Sequence, residues 1–168
     1  MRSVLIVGCG PGRHNPWENH GFTATYLDID PRTEPDVVAS MTEMGEIGKF
    51  DLIYCCHALE HLYPHEVNTA LREFKRVLNI GGKVMIIVPD LEDVKPNNEV
   101  LPMSHGVKLT GLHLFYGDHS KIPEFPFMAH HCGFISGTLE FALVSAGFSA
   151  KALRQPDYNL VGVGINLG

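Results

Sequence analysis

Residues 4 to 12 read VLIVGCGPG, and this stretch decides the class of fold. Four apolar residues in a row, ended by glycine, are typical of a short strand that is buried on both faces of a parallel sheet. Gly8, Gly10 and Gly12 then allow a tight turn and let the backbone approach a ligand closely. The stretch therefore predicts a strand followed by a nucleotide-binding turn.

Strand and helix signals alternate along the rest of the chain. Helices are indicated by the apolar spacing that begins near Pro64 and ends at Gly81 and Gly82, and by the segment from Ser136 to Gly147. Apolar or β-branched runs indicate seven strands, at residues 4–7, 23–29, 36–38, 50–56, 83–89, 148–155 and 160–167. The last two are joined by PDYN, a composition typical of a hairpin turn.

This order of elements predicts an α/β fold. Parallel strands joined by helices indicate a single doubly wound, Rossmann-like sheet, mostly parallel, with seven strands and a C-terminal antiparallel hairpin. We expect one domain over residues 1–168, in which the long irregular segment at about 90–135 covers the active site.

Composition excludes several classes of protein. The 168 residues are 45% hydrophobic and 19% charged, so a packed core is expected rather than disorder. The net charge is −6 and the basic residues are scattered, so we expect no nucleic-acid partner. No apolar run approaches the roughly 18 residues that span a membrane. The four cysteines lack metal-ligand spacing, which favours a reduced, cytoplasmic protein.

The spacing of the glycines restricts the ligand. A dinucleotide fingerprint needs G-x-G-x-x-G and a helix that begins at the third glycine, whereas this turn reads G-x-G-x-G. Only eight residues separate Gly12 from Gly21, so the first helix is expected to be short or missing. A ligand without a pyrophosphate fits better, and a nicotinamide-dependent oxidoreductase is a remote alternative.

An acidic residue after the second strand is expected to bind a ribose. A carboxylate at this place can accept hydrogen bonds from both ribose hydroxyls. Asp28 is the preferred residue, and Asp30, two positions on, points to the same face and is its rival. The alternative for either residue is a solvated acid in the turn beside Pro31.

Five segments in order carry a resemblance to a known family: VLIVGCGPG, YLDID, FDLIYCCHALEHL, LREFKRVLNIGGKVMIIVPD and LVSAGF. Together they resemble class I S-adenosylmethionine-dependent methyltransferases, and more narrowly the small predicted methyltransferases of the methyltransferase type 11 kind with a shortened first helix. The segment at residues 115–148 is similar to the same group. The resemblance implies S-adenosyl-L-methionine as the cofactor and S-adenosyl-L-homocysteine as its product.

The resemblance also implies a cofactor site. The glycine turn would lie under the methionine part, Asp28 would bind the ribose and Ile29 would lie against the adenine. Ser40 stands where the family often has an acid that contacts the adenine amino group. Cys56 and His57 would border the methionine, and the LEHL segment would shape the floor beside the sulfonium. The complete set is Gly8, Cys9, Gly10, Pro11, Gly12, Asp28, Ile29, Ser40, Met41, Cys56, His57 and His61.

Two histidines are candidates for catalysis. Methyl transfer from a sulfonium asks little of the protein, because the donor is already activated and in-line placement of the acceptor supplies much of the rate. A base is needed only for a hydroxyl or a protonated amine. His61 and His131 are predicted to act here, since histidine titrates near neutral pH. For each of them, a structural role in fixing a loop is the alternative.

The acceptor is predicted to be a small molecule or a saccharide. The residues after the fourth and fifth strands lack the motifs of amino-methylating DNA enzymes and of cytosine-C5 enzymes. Asp90 and Glu92 are expected to anchor a hydroxyl or an amine of the acceptor. Four aromatic residues are expected to line its pocket: Tyr116, Phe125, Phe127 and Phe134.

No metal site is expected from the sequence. The late region is rich in histidine, but the spacing matches no tetrahedral pattern, and His130 and His131 are adjacent. The late hairpin offers an edge for a homodimer. The main alternative to an enzyme is a catalytically silent protein that keeps this fold for binding or assembly.

Overall fold

A computed structural model of the chain describes residues 2–104, 106 and 108–168. The strands in this part are β1 (Arg2–Val7), β2 (Phe22–Asp28), β3 (Val37–Val38), β4 (Phe50–Cys56), β5 (Leu78–Pro89), β6 (Ser149–Gln155) and β7 (Asn159–Ile165). The α-helices are α1 (Val67–Val77), α2 (Gly111–Tyr116) and α3 (Ser136–Ser145). Within the same residues, no helix is long and apolar enough to cross a membrane.

The seven strands form one sheet in the order β3-β2-β1-β4-β5-β7-β6. β1 pairs in parallel with β2 and with β4, and β5 pairs in parallel with β4. β7 runs antiparallel to both β5 and β6. The predicted fold class is therefore confirmed. The direction of winding reverses between β1 and β4, and sheets of this kind bind ligands at the carboxyl ends of the strands beside such a switch.

Helices α1 and α3 pack on one face of the sheet through buried apolar side chains. Leu71 and Phe74 of α1 are fully buried, as are Leu139 and Leu143 of α3. A Cβ on Gly162 of β7 would stand 2.9 Å from the side chains of both α3 leucines. The missing side chain at this position lets α3 approach the sheet closely.

The connection from β1 to β2 covers part of the opposite face. It contains the short 3-10 turn Glu18–His20, so the expectation of a short or missing first helix is confirmed. Trp17 takes the place of a helix, with its ring edge-on to Phe22 and Tyr54 at centroid distances of 6.2 and 6.1 Å. Together with Val4, these rings form the smaller of two apolar clusters.

The first long helix is shorter at both ends than the sequence predicts. It begins at Val67, because Pro64 lies in the preceding turn, and it ends at Val77. Leu78 already belongs to β5. Gly81, expected to end the helix, lies inside this strand with a φ of 81°. Leu78, the apolar residue expected at the end of the helix, belongs to the strand instead. Its spacing fits either a helix or a strand, so the sequence pattern alone does not decide between them.

We expect Leu143→Ala to lower the free energy of unfolding by about 2 to 5 kcal/mol, because it leaves a cavity between α3 and β7. Leu153→Ala removes the same atoms from a side chain that is 63% exposed, so it should cost less than about 0.5 kcal/mol. Urea denaturation followed by circular dichroism measures both. Equal losses in the two variants would contradict this packing of α3.

Candidate functional site

The glycine turn after β1 lies against the loop after β4. A Cβ on Gly8 would stand 2.5 Å from the Cβ of Ala58, so only glycine fits there. Gly8 also has a φ of 67°, and its N–H donates to the carbonyl of Leu27 at 2.9 Å. Gly10 has a φ of 59°, whereas Gly12 faces open space. Glycine backbone, without side chains, therefore lies at the carboxyl ends of the strands where the winding of the sheet reverses.

Asp28 ends β2 and lies beside this turn. Its Oδ2 accepts a hydrogen bond from the Gly10 N–H at 3.0 Å, and its Oδ1 accepts one from the Asp30 N–H at 2.9 Å. The rival Asp30 is buried and paired with Arg32, whose Nη2 lies 2.6 Å from Asp30 Oδ2. The hydrogen bonds from Arg32 lower the pKa of Asp30. Of the two acids, Asp28 is the one placed to meet a ligand.

Ile29, Ser40 and Met41 lie on the β2 side of the same edge. The Ser40 hydroxyl is within 2.7 Å of the Thr42 hydroxyl, and Met41 packs against the main core. Ile29 is 46% exposed directly after Asp28. Its apolar surface is the most accessible feature of this group.

Cys9, Pro11, Cys56 and His57 lie on the β1 and β4 sides. Burial raises the pKa of the Cys9 and Cys56 thiols, so both are neutral near pH 7. Pro11 is exposed in the turn. His57 has a φ of 51°, and its N–H donates to the carbonyl of Ile87 at 2.8 Å. This hydrogen bond fixes the first residue after β4 against β5.

His61 bridges two loops. Its Nδ1 lies 3.1 Å from the carbonyl oxygen of Ala129, and its Nε2 lies 3.1 Å from that of His57. Its ring also meets the ring of His130 with centroids 5.0 Å apart. These contacts hold the loop after β4 to the irregular segment at about residues 90–135, called the late segment below. The catalytic role of His61 stays a prediction.

His131 lies on the late segment at the edge of a cavity. Its ring stacks on Tyr63 with centroids 4.3 Å apart, and its N–H donates to the carbonyl of Glu60 at 2.9 Å. The cavity has a volume of about 440 Å³. Its lining consists of Leu91, Phe115, Tyr116, His130, His131, Cys132, Gly133, Phe134, Ile135 and Thr138.

The expected aromatic lining is present in part. Tyr116 and Phe134 line the cavity, and Phe115 joins them. Phe125 and Phe127 are outside the lining: the first lies under an arginine guanidinium, 4.6 Å from its ring centroid, and the second is 50% exposed. All four lie in a segment with little regular structure, so the sequence does not separate those that face inward.

Asp90 and Glu92, expected to anchor an acceptor, already have partners. Asp90 is buried, and its Oδ2 lies 2.5 Å from Nε of Arg154. Its Oδ1 accepts a hydrogen bond from the Glu92 N–H at 3.0 Å. The Glu92 carboxylate accepts one from the Ser136 hydroxyl at 3.3 Å. The ion pair of Asp90 with Arg154 ties the end of β5 to β6, and a role of Asp90 or Glu92 toward an acceptor stays a prediction.

Glu60 is the site residue that sequence reasoning missed. Its side chain is 1% exposed, and its carbonyl accepts hydrogen bonds from the N–H groups of His131 and Cys132 at 2.9 and 3.2 Å. Its carboxylate raises the pKa of His57, whose Nδ1 is 3.4 Å away. An acidic residue inside the apolar run ALEHL is the one signal that points to it.

Comparisons with known proteins agree with this arrangement. Residues 5–86 match the family model described as a methyltransferase domain. No protein of curated function matches the chain by sequence. A SAM-dependent methyltransferase from Archaeoglobus fulgidus superposes with a TM-score of 0.70 at 16% identity, over 98% of this chain and 86% of its own.

Two further similar structures contain S-adenosylhomocysteine. One is the 1,6-didemethyltoxoflavin-N1-methyltransferase of Burkholderia thailandensis, with a TM-score of 0.65 at 19% identity, over 97% of this chain and 70% of its own. The other is the N-methyltransferase NodS of Bradyrhizobium japonicum WM9, with a TM-score of 0.63 at 13% identity, over 99% of this chain and 79% of its own.

The sheet order, with the glycine turn where its winding reverses, defines a class I methyltransferase fold, which the similar structures share over nearly the whole chain. The resemblance seen in the sequence is confirmed.

The three glycines of the turn allow a graded test. Gly8→Ala should lower the free energy of unfolding by about 2 kcal/mol or more, because it adds a clash with Ala58 to left-handed strain. Gly10→Ala carries the strain alone and should cost about 1 to 2 kcal/mol. Gly12→Ala should change it by less than about 0.5 kcal/mol. Urea denaturation gives the order, and a cost at Gly12 equal to that at Gly8 would refute it.

Proposed function

We propose that the chain is an S-adenosyl-L-methionine-dependent methyltransferase that acts on a small molecule or a saccharide. The position of Asp28 carries this proposal: its carboxylate lies beside the glycine turn, where the winding of the sheet reverses. The Gly10 and Asp30 N–H groups use one lone pair on each carboxylate oxygen. A carboxylate has about four acceptor positions, so two ribose hydroxyls can still bind.

The remaining cofactor contacts follow from the same edge. The cofactor supplies a methyl group that is already activated on a sulfonium. Gly8 and Gly10 let its methionine part approach the backbone, and Ile29 offers an apolar surface to the adenine. The neutral Cys56 thiol borders the methionine without placing an anion there. The two similar structures with bound S-adenosylhomocysteine support this choice of cofactor.

The cavity of the late segment is the proposed acceptor site. Its volume of about 440 Å³ lies in the range of small-molecule pockets. Its walls are aromatic and apolar except for two histidines, Thr138 and a neutral cysteine, whose thiol pKa burial raises to about 12. One similar structure is named for a small substrate, 1,6-didemethyltoxoflavin, and was solved with it bound.

His131 is the proposed general base. It is exposed at the edge of the cavity, with its ring held on Tyr63 by stacking. A base in this place takes the proton from an acceptor hydroxyl or ammonium as the methyl group transfers. His61 has both ring nitrogens next to backbone carbonyls, so we propose that it positions the loops around the sulfonium.

Cofactor binding is the first test. S-adenosyl-L-methionine and S-adenosyl-L-homocysteine at about 100 times the dissociation constant stabilise the chain by about 2.7 kcal/mol, which should raise the melting temperature by about 5 to 10 °C. NADH should give no shift. Asp28→Asn should abolish both shifts, because it loses the charge and one acceptor toward the ribose.

Asp93→Asn is the matched control for Asp28→Asn. Asp93 is an exposed acid on the far side of β5, and its φ of 66° is one that asparagine tolerates. This variant should keep both shifts. A shift with NADH alone would favour the oxidoreductase, and no shift with any nucleotide would contradict the proposal. Cofactor binding without methyl transfer across an acceptor screen would favour the silent binding protein.

Turnover tests the base. With an acceptor hydroxyl found by the screen, His131→Gln should lower kcat by about 10²- to 10⁴-fold. His20→Gln, an exposed histidine on the β1–β2 connection, should leave kcat unchanged. A kcat that His131→Gln leaves unchanged would contradict the role of His131 as the base.

A further inference from the structure

The Glu60 side chain is an acidic group buried inside the protein. It is 1% exposed, and neither of its carboxylate oxygens receives a hydrogen bond within the described residues. A buried carboxylate is costly unless a cation or hydrogen-bond donors compensate it. The nearest cationic group is Nδ1 of His57, at 3.4 Å from Oε1, on a side chain that is half exposed. One partly solvated contact leaves most of the carboxylate without a partner.

Two other imidazoles surround the same carboxylate. Nδ1 of His130 lies 2.9 Å from the carbonyl of Leu114, which fixes that nitrogen as the donor and leaves Nε2 with its lone pair. His61 has a backbone carbonyl 3.1 Å from each ring nitrogen. A neutral imidazole has a single N–H, so one nitrogen of His61 also keeps a lone pair. His130 is held as metal-binding histidines commonly are, by a carbonyl on the other nitrogen, whereas a metal on His61 would replace one of its two carbonyl contacts.

We propose that Glu60, His61 and His130 bind a divalent transition metal of the zinc class. One ligand atom from each residue lies within 4.8 Å of the other two. In a tetrahedral site with bonds of about 2.1 Å, the ligand atoms stand about 3.4 Å apart, so small side-chain rotations close the site. One carboxylate oxygen and two imidazole nitrogens form a donor set that zinc accepts, with a fourth position left for water or another oxygen ligand.

The metal would join three segments of the chain. Glu60 and His61 lie in the turn after β4, His130 lies in the late segment, and the carbonyl that orients His130 belongs to α2. His130 also lines the cavity, so the metal would lie at its wall. The site stands independently of methyl transfer, because its residues and its test concern metal binding alone.

Zinc titration tests the site directly. The whole chain, freed of metal with a chelator and desalted, is titrated with zinc chloride by isothermal calorimetry. We expect one zinc per chain, and a dissociation constant raised by about 10- to 100-fold or more in Glu60→Gln and in His130→Gln. Co²⁺ in place of zinc should give the strong visible absorption of a four-coordinate ion, which both variants lose. His65→Gln, an exposed histidine before α1, should bind as the wild type does.

Each outcome decides the proposal. Absence of zinc binding to the wild-type chain overturns it, and leaves Glu60 paired with His57 alone. Zinc binding that is unchanged in Glu60→Gln and His130→Gln also overturns it, because the ion then lies at exposed histidines. Circular dichroism and the urea midpoint of the metal-free variants confirm that they are folded. If one variant fails this check, the other gives the answer.

Discussion

The close approach of Gly8 to Ala58 is the constraint on which the site depends. With only 2.5 Å available for a Cβ, the turn after β1 and the loop after β4 can meet only if one of them has no side chain. On one side of this contact Gly10 lies beside Asp28. On the other side His57 and Glu60 lie in the loop after β4. Backbone packing therefore fixes the point where the winding of the sheet reverses. It does so without the side chains that would bind a ligand.

The acids at the strand ends show where sequence reasoning succeeds and where it stops. The order of strands predicts that Asp28, Asp30 and Asp90 gather at one edge of the sheet, and they do. It does not predict which of them is committed to a cation. Asp30 forms an ion pair with Arg32, two residues further along the chain. Asp90 forms one with Arg154 of β6, in the C-terminal hairpin. Only Asp28 is held by backbone groups alone, apart from a weak cysteine contact.

The fold itself was largely predictable because buried strands leave simple patterns. Apolar or β-branched runs predicted all seven strands, and the short β1–β2 connection predicted the short or missing first helix. The end of α1 was not predictable, because Leu78 is apolar in either the helix or β5. The late segment was harder still: a loop has no period, so nothing in the spacing of Tyr116, Phe125 and Phe134 tells which ring faces the cavity.

Glu60 explains why that loop can nevertheless form a wall. Its carbonyl accepts the N–H groups of His131 and Cys132, and the ring of neighbouring His61 reaches the carbonyl of Ala129. The short turn after β4 thus holds Ala129, His131 and Cys132 by hydrogen bonds, in a segment that has little regular structure. The same turn buries the Glu60 carboxyl group near His130, so the backbone bonds that shape the cavity also bring together the proposed metal ligands. The LEHL segment, residues 59–62, therefore contributes both to the shape of the cavity and to the proposed metal site.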